Sequence, residues 1–174
     1  MATQKHEVWQ RGPLLLVPPL LQPVAHTLLQ AREEVDEIMH RFPSALLWER
    51  PAGVASPGFH LQHLSGVLDR VFTYARNEGL DVFQFEQLAS EGKNSVSAHN
   101  TNDLVKRFDL QVEKAIAQLK ITDEKTLTDY RGIGRAGLPS TIIGLLFHAA
   151  EHTMRHVGQL MVTVAIIKEA PFRS

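Results

Sequence analysis

Four long stretches of this chain repeat apolar residues every three or four positions, the spacing that lays one stripe along an α-helix. The first runs from about Leu20 to Phe42. Its stripe is Val24, Leu28, Ala31, Val35, Ile38, Met39 and Phe42, while Glu33, Glu34, Asp36 and Glu37 fall mostly away from it. Pro18 and Pro19 suit its start, where a missing N–H costs nothing, and Pro43 suits its end. Ser44 to Ser56, with Trp48, Pro51 and Gly53, reads as an ordered connector. The second helix starts near Pro57, with Ser56 as N-cap and proline at the first helical position, and ends near Gly79. Asp81 to Glu91 reads as a short helix or a loop, and Gly92 to His99 is polar. The third long helix runs from about Thr101 to Leu119, capped by Asn100, with Leu104, Phe108, Val112, Ala115, Ile116 and Leu119 inward. Thr122 to Leu138 contains Gly132, Gly134 and Gly137 and breaks the helical pattern, so a plain turn is expected there. The fourth long helix starts near Pro139 or Ser140 and continues to about Lys168, with Pro171 beyond its end. With no convincing alternating strand signal, the pattern predicts an all-α protein. It is a four-helix bundle with a short extra helix between helices 2 and 3, forming one domain over residues 1–174.

Composition narrows the chemistry. The 174 residues hold 18 Lys and Arg against 19 Asp and Glu, a formal net charge of -1. There is no basic excess to hold nucleic acid through its phosphates, so no nucleic-acid partner is expected. There is no cysteine, which removes disulfides, thiolate ligands and a cysteine nucleophile together. Any reactive thiol must therefore come with a cosubstrate. Met1 to Gly12 lacks the apolar core of a signal peptide, and Leu160 to Ile167 is too short to span a bilayer. The expected compartment is the cytoplasm, with no membrane partner.

The nine histidines change the picture. The fourth long helix carries His148, His152 and His156, each four residues from the next. Residues at that spacing stack on one helix face, and two imidazoles there can converge on one ion. A single such pair arises often by chance; three in register are rarer. On a helical wheel His152 and His156 share an arc with Leu145, Ala149, Leu160 and Thr163, on or beside the buried face. His148 lies nearer the polar edge, and Glu151 and Arg155 are placed for an exposed i,i+4 pair. On the second helix His60, His63, Val67, Arg70 and Tyr74 run along the margin of an apolar face. Two imidazoles, a guanidinium and a phenol are costly to bury without partners. A metal would satisfy the imidazoles, and an anionic ligand would suit Arg70. The plainer reading is a hydrogen-bonded core-edge histidine for His60, a solvated or ion-paired Arg70 and a packing role for Tyr74. His6, His26, His40 and His99 read as surface residues.

Two segments carry a family likeness. Gly58-Phe59-His60-Leu61-Gln62-His63-Leu64-Ser65-Gly66-Val67 resembles the G-x-x-x-x-H-ϕ-x-G segment of the DinB-like superfamily, bacterial four-helix metal proteins. His152-x-x-x-His156-x-Gly158-Gln159 resembles its closing H-x-x-x-H-x-G-Q motif. Helix order and length fit as well. The resemblance implies that His63, His152 and His156 are the metal ligands and that the protein is a homodimer. It assigns no ligand role to His60 or His148, which stand as supports of the ligands or replacements for one.

Three imidazoles without a thiolate suit Zn or Ni first, with Mn, Co and Fe also compatible. Three protein ligands leave positions open, as catalytic sites do. The resemblance implies thiol transfer, since relatives include transferases and isomerases that use bacillithiol or mycothiol. Arg70, Tyr74, His60 and His148 are the candidates for roles beside the metal, with Arg70 placed to pair with a carboxylate of the thiol. Hydrolysis by a bound hydroxide is the second reading. It needs a general base, and no Asp or Glu is forced onto the seam: Glu151 points elsewhere and Asp69 falls on the outer face of its helix, which leaves His60 or His148 to serve. The third reading is a non-catalytic metal-binding or stress-related dimer.

Overall fold

Each long helix begins where a side chain or neighbouring backbone stands in for a missing backbone partner. Ser56 Oγ accepts from Phe59 N at 3.2 Å at the start of one, and Asn100 Oδ1 accepts from Asp103 N at 3.0 Å at the start of another. Asp81 and Gln84 close a reciprocal capping box on the short helix between them. The computed structural model describes residues 6–94 and 100–169. Its helices are α1 (Gln22–Met39), α2 (Pro57–Ala75), α3 (Val82–Ser90), α4 (Thr101–Ile121) and α5 (Ile142–Glu169). Helices α1, α2, α4 and α5 form the four-helix bundle, and α3 is the short extra helix, so the expected all-α architecture is the one observed. Helix α2 packs between α4 and α5, and α1 closes the ring against the same two. The core runs down the middle through Leu28 and Val35, Leu64 and Phe72, Phe108, and Leu145 and Leu160.

The ends differ from expectation by a few residues. Helix α1 starts at Gln22 after a 3-10 turn over Pro19–Leu21, and α2 stops at Ala75 rather than near Gly79. Asn77 follows in the left-handed region at φ 63, which ends the helical ladder. The connector is ordered by 3-10 turns over Ser44–Leu46 and Pro51–Gly53. The His99 and Pro171 readings lie outside the described residues.

The glycine-rich segment is not a plain turn. Strands β1 (Tyr130–Ile133) and β2 (Leu138–Thr141) pair antiparallel, with Ile133 opposite Leu138. Gly134 and Gly137 take positive φ in the loop between them, a conformation that side chains resist. Residues Pro139 and Ser140 therefore belong to a strand, and α5 begins only at Ile142. Ile142 N donates to Asp129 O at 3.2 Å and Ile143 N to Leu127 O at 2.9 Å, fixing that start.

Helix α3 is attached through polar contacts. Gln84 is buried and donates to Asp69 Oδ2 at 2.7 Å and to Thr73 Oγ1 at 2.9 Å on α2. Gln111 Nε2 donates to Asp69 Oδ1 at 3.2 Å from α4. Asp69 is thus the joint of α2, α3 and α4 rather than an outer-face residue. Val82, Phe83, Phe85 and Leu88 of α3 are exposed. A cleft of about 970 Å³ runs between these three helices, bordered by Asp69, Gln84, Arg107 and Gln111, and none of the histidines lines it.

Candidate metal centre

Helix α2 delivers His63 and helix α5 delivers His152 and His156 to one point. One ring nitrogen from each lies within 4.8 Å of the other two. The ring centroids of His63 and His156 are 4.4 Å apart, and those of His152 and His156 4.6 Å. His63 Nε2 and His152 Nε2 stand 3.0 Å apart. Two nitrogens bound to one tetrahedral ion at bonds near 2.0–2.1 Å would be separated by about 3.3 Å. All three side chains are half-buried.

The electrostatics favour neutral imidazoles, the form a metal requires. Burial, reinforced by repulsion from His63, lowers His60 to about 4. Burial followed by repulsion from His63, His152 and His60 lowers His156 to about 4. Burial also lowers His152, with repulsion from His63 second.

A second ring of side chains backs the first, unevenly. His63 Nδ1 lies 2.6 Å from Glu91 Oε2. Arg70 Nη1 donates to the other oxygen of Glu91 at 2.7 Å. Burial alone would raise the Glu91 carboxyl, but the hydrogen bonds from His63 and Arg70 overcome it and hold the group below the usual range. His156 Nδ1 meets His60 Nδ1 at 3.1 Å, where one ring must donate and the other accept. His152 Nδ1 is buried with no hydrogen-bond partner among the described residues. Phe59 stacks on His63 at 5.3 Å between centroids and walls one side of the site. The donor set, the lowered pKa values of His152 and His156 and the Nε2 separation fit a divalent ion held by His63, His152 and His156.

The glycines of α2 explain themselves here. A Cβ on Gly58 would sit 2.7 Å from the Trp48 ring, and one on Gly66 would sit 2.5 Å from Glu91 Oε1 and 2.6 Å from Arg70 Nη1. The three-residue offset from His63 to Gly66 keeps the helix surface bare where the Glu91 carboxylate docks.

A family model described as the DinB superfamily matches residues 27–160. The chain belongs to the DinB superfamily. The match includes all three histidines. Two solved structures share the DinB-type fold seen here. A conserved protein from Enterococcus faecalis superposes with a TM-score of 0.67 at 18% identity, covering 87% of this chain and 99% of that one. A protein from Streptococcus pneumoniae superposes with a TM-score of 0.61 at 12% identity, covering 84% of this chain and 88% of that one. No curated protein matches the chain significantly.

The other expected residues of this DinB-superfamily chain fall into place differently. His60 is 2% exposed and touches His156 rather than the shared point. His148 sits at the rim, its ring centroid 5.1 Å from that of His152, and its Nδ1 lies 2.9 Å from Glu151 Oε1. Glu151 also pairs with Arg155, as expected. Arg70 is 8% exposed and committed to Glu91, so it is not free for a substrate carboxylate. Tyr74 packs on the hydrophobic core three turns along α2 from His63, about 16 Å away. His6 and His40 are exposed as expected, while His26 is half-buried with its Nε2 3.1 Å from Gly12 O. Glu91 is the residue that sequence reasoning missed. It lies 28 positions from His63, beyond a separate helix, and no periodicity links the two.

Proposed function

We propose that this DinB-superfamily protein is a metal-dependent enzyme of the thiol S-transferase type, joining the sulfur of a small-molecule thiol to a small electrophile. The observation that carries the proposal is the three half-buried imidazoles converging from α2 and α5 in a chain without cysteine. A divalent ion, Zn or Ni first, would supply Lewis acidity that holds an incoming thiol as its thiolate at neutral pH. The chain's own residues do the rest. His63, His152 and His156 hold the ion, and Phe59 shields one face of His63 from water. His148, exposed at the rim and beside Glu151, is placed to pass the thiol's proton to solvent. The sulfur–carbon bond forms as the electrophile's leaving group departs with its electron pair.

Hydrolysis ranks second because it needs a base beside the bound water, and of the candidates only His148, at the rim beside Glu151, is left for that role. Both oxygens of Glu91 are already engaged by His63 and Arg70, and His60 is engaged by His156. The proposal includes a homodimer formed along α5, where Gly158, Met161, Val162 and Ile166 leave an apolar face uncovered.

The test begins with metal content by mass spectrometry on untagged wild type and His152→Ala. Near-stoichiometric metal in the wild type, lost in the variant, is expected. Calorimetric titration of small thiols into loaded protein and a screen of electrophiles then follow. No metal after incubation with Zn, Ni and Mn would overturn the proposal. Metal without thiol binding or turnover would leave a non-catalytic metal-binding protein.

A further inference from the structure

The role of Glu91 goes beyond pairing charges. It is the first residue past α3, and it is held at the back of His63 from several sides. Gln84 pins α3 to α2 through Asp69 and Thr73. Gly92 N donates to Gln62 Oε1 at 2.8 Å, fixing the turn just after Glu91. Gly66 leaves the gap that the carboxylate fills. A carboxylate is costly to bury, and it stays only where partners saturate it. Here Arg70 takes one oxygen and His63 the other.

A neutral imidazole carries one ring proton, and its second nitrogen then carries a lone pair. A carboxylate 2.6 Å from His63 Nδ1 has no proton to give, so the imidazole must donate from Nδ1. That leaves Nε2 bare, and Nε2 is the atom that faces His152 Nε2 at 3.0 Å. The other two rings are not held this way. His156 has only the neutral ring of His60 behind it, and His152 has no partner at Nδ1 among the described residues.

We propose that Glu91 is a positioning residue of the metal centre: it locks His63 in the Nδ1–H tautomer, aims the Nε2 lone pair at the shared point, and makes His63 the anchoring ligand of the three. Arg70 acts through Glu91, holding its second oxygen and cancelling its charge. The inference rests on the metal-centre reading, but its first consequence holds in the metal-free protein.

Long-range ¹H–¹⁵N NMR of the metal-free, ¹⁵N-labelled full chain in mildly alkaline buffer reads the tautomer directly. The wild type is expected to show His63 protonated at Nδ1 and bare at Nε2. Removing Glu91 alone would strand a buried arginine, so the variant is Arg70→Met combined with Glu91→Leu, which replaces the pair by apolar side chains. In it, His63 is expected to lose its Nδ1–H preference. Competition against a chromogenic chelator should show Zn binding weaker by roughly ten- to a hundredfold. A merely structural role would change the melting temperature and leave tautomer and Zn affinity alone. A wild-type His63 protonated at Nε2 overturns the proposal, as does a double variant that keeps both the tautomer and wild-type Zn affinity. A wild type that binds no Zn overturns the metal centre instead, and the tautomer still decides what Glu91 does.

Discussion

Gly66→Ala puts the architecture behind His63 under a quantitative strain. In an ordinary helix interior this substitution stabilises, because alanine loses less backbone entropy than glycine, by about 0.5–1 kcal/mol. Here the new methyl would lie 2.5 Å from Glu91 Oε1 and 2.6 Å from Arg70 Nη1. Both are ends of flexible side chains, so the pair moves and the helix stays. What moves is a carboxylate bonded at 2.6 Å to His63 and at 2.7 Å to Arg70. Hydrogen bonds to charged groups are worth about 1.5–3 kcal/mol each. Losing one and keeping the propensity gain leaves a net destabilisation of about 1–2 kcal/mol. Metal affinity should fall more steeply, by roughly ten- to a hundredfold, the usual cost of removing the partner behind a ligating histidine. Urea unfolding of the metal-free protein and chelator competition on the same preparation measure the two effects. If Gly66→Ala gains the stability of an ordinary helix position and binds Zn as wild type does, the carboxylate does not dock against bare helix backbone and the reasoning fails.

Two further outcomes follow from the site and its helix. His60 and His156 are lowered to about 4, chiefly by burial, from an ordinary value of 6.5. Groups lowered by folding add stability that is complete above pH 6.5 and is lost as pH falls through 4. A tenfold change in proton affinity is about 1.4 kcal/mol. With the half-exposed His156 discounted for screening, the metal-free protein should lose on the order of a few kcal/mol over that window, and a flat urea midpoint would refute this. For the dimer, Val162 is 60% exposed and Ile166 48% exposed on α5. Val162→Glu should shift sedimentation from dimer to monomer with little change in the melting profile; a wild type that sediments as a monomer would refute the interface.

How much of this was readable in the chain depends on how local the signals are. Ser56 and Pro57 mark a helix start within two residues, and Asn100 does the same, so the long helices and their facing histidines were legible. His63, His152 and His156 stand out because helical spacing and inward placement are both one-dimensional properties. The hairpin was not legible: Tyr130-Arg131-Gly132-Ile133 and Leu138-Pro139-Ser140-Thr141 lack clean alternation, and only the glycines flanking the loop hinted at it. Asp69 reads as solvated from its own helix because its partners, Gln84 and Gln111, come from two others. Glu91 is the extreme case, since its relation to His63 exists only after α3 has folded across α2.

The placement of the three histidines also bears on the chain as a polymer. His63 and His152 are 89 residues apart, so an ion bound to both would close a loop over half the protein. In the chain-entropy description a permanent link of that span is worth about 4.6 kcal/mol. This chain has no cysteine to form one. A metal at this point would serve as its cross-link, one that can be removed and restored, and its loss would loosen the joint between α2 and α5 along with the site it occupies.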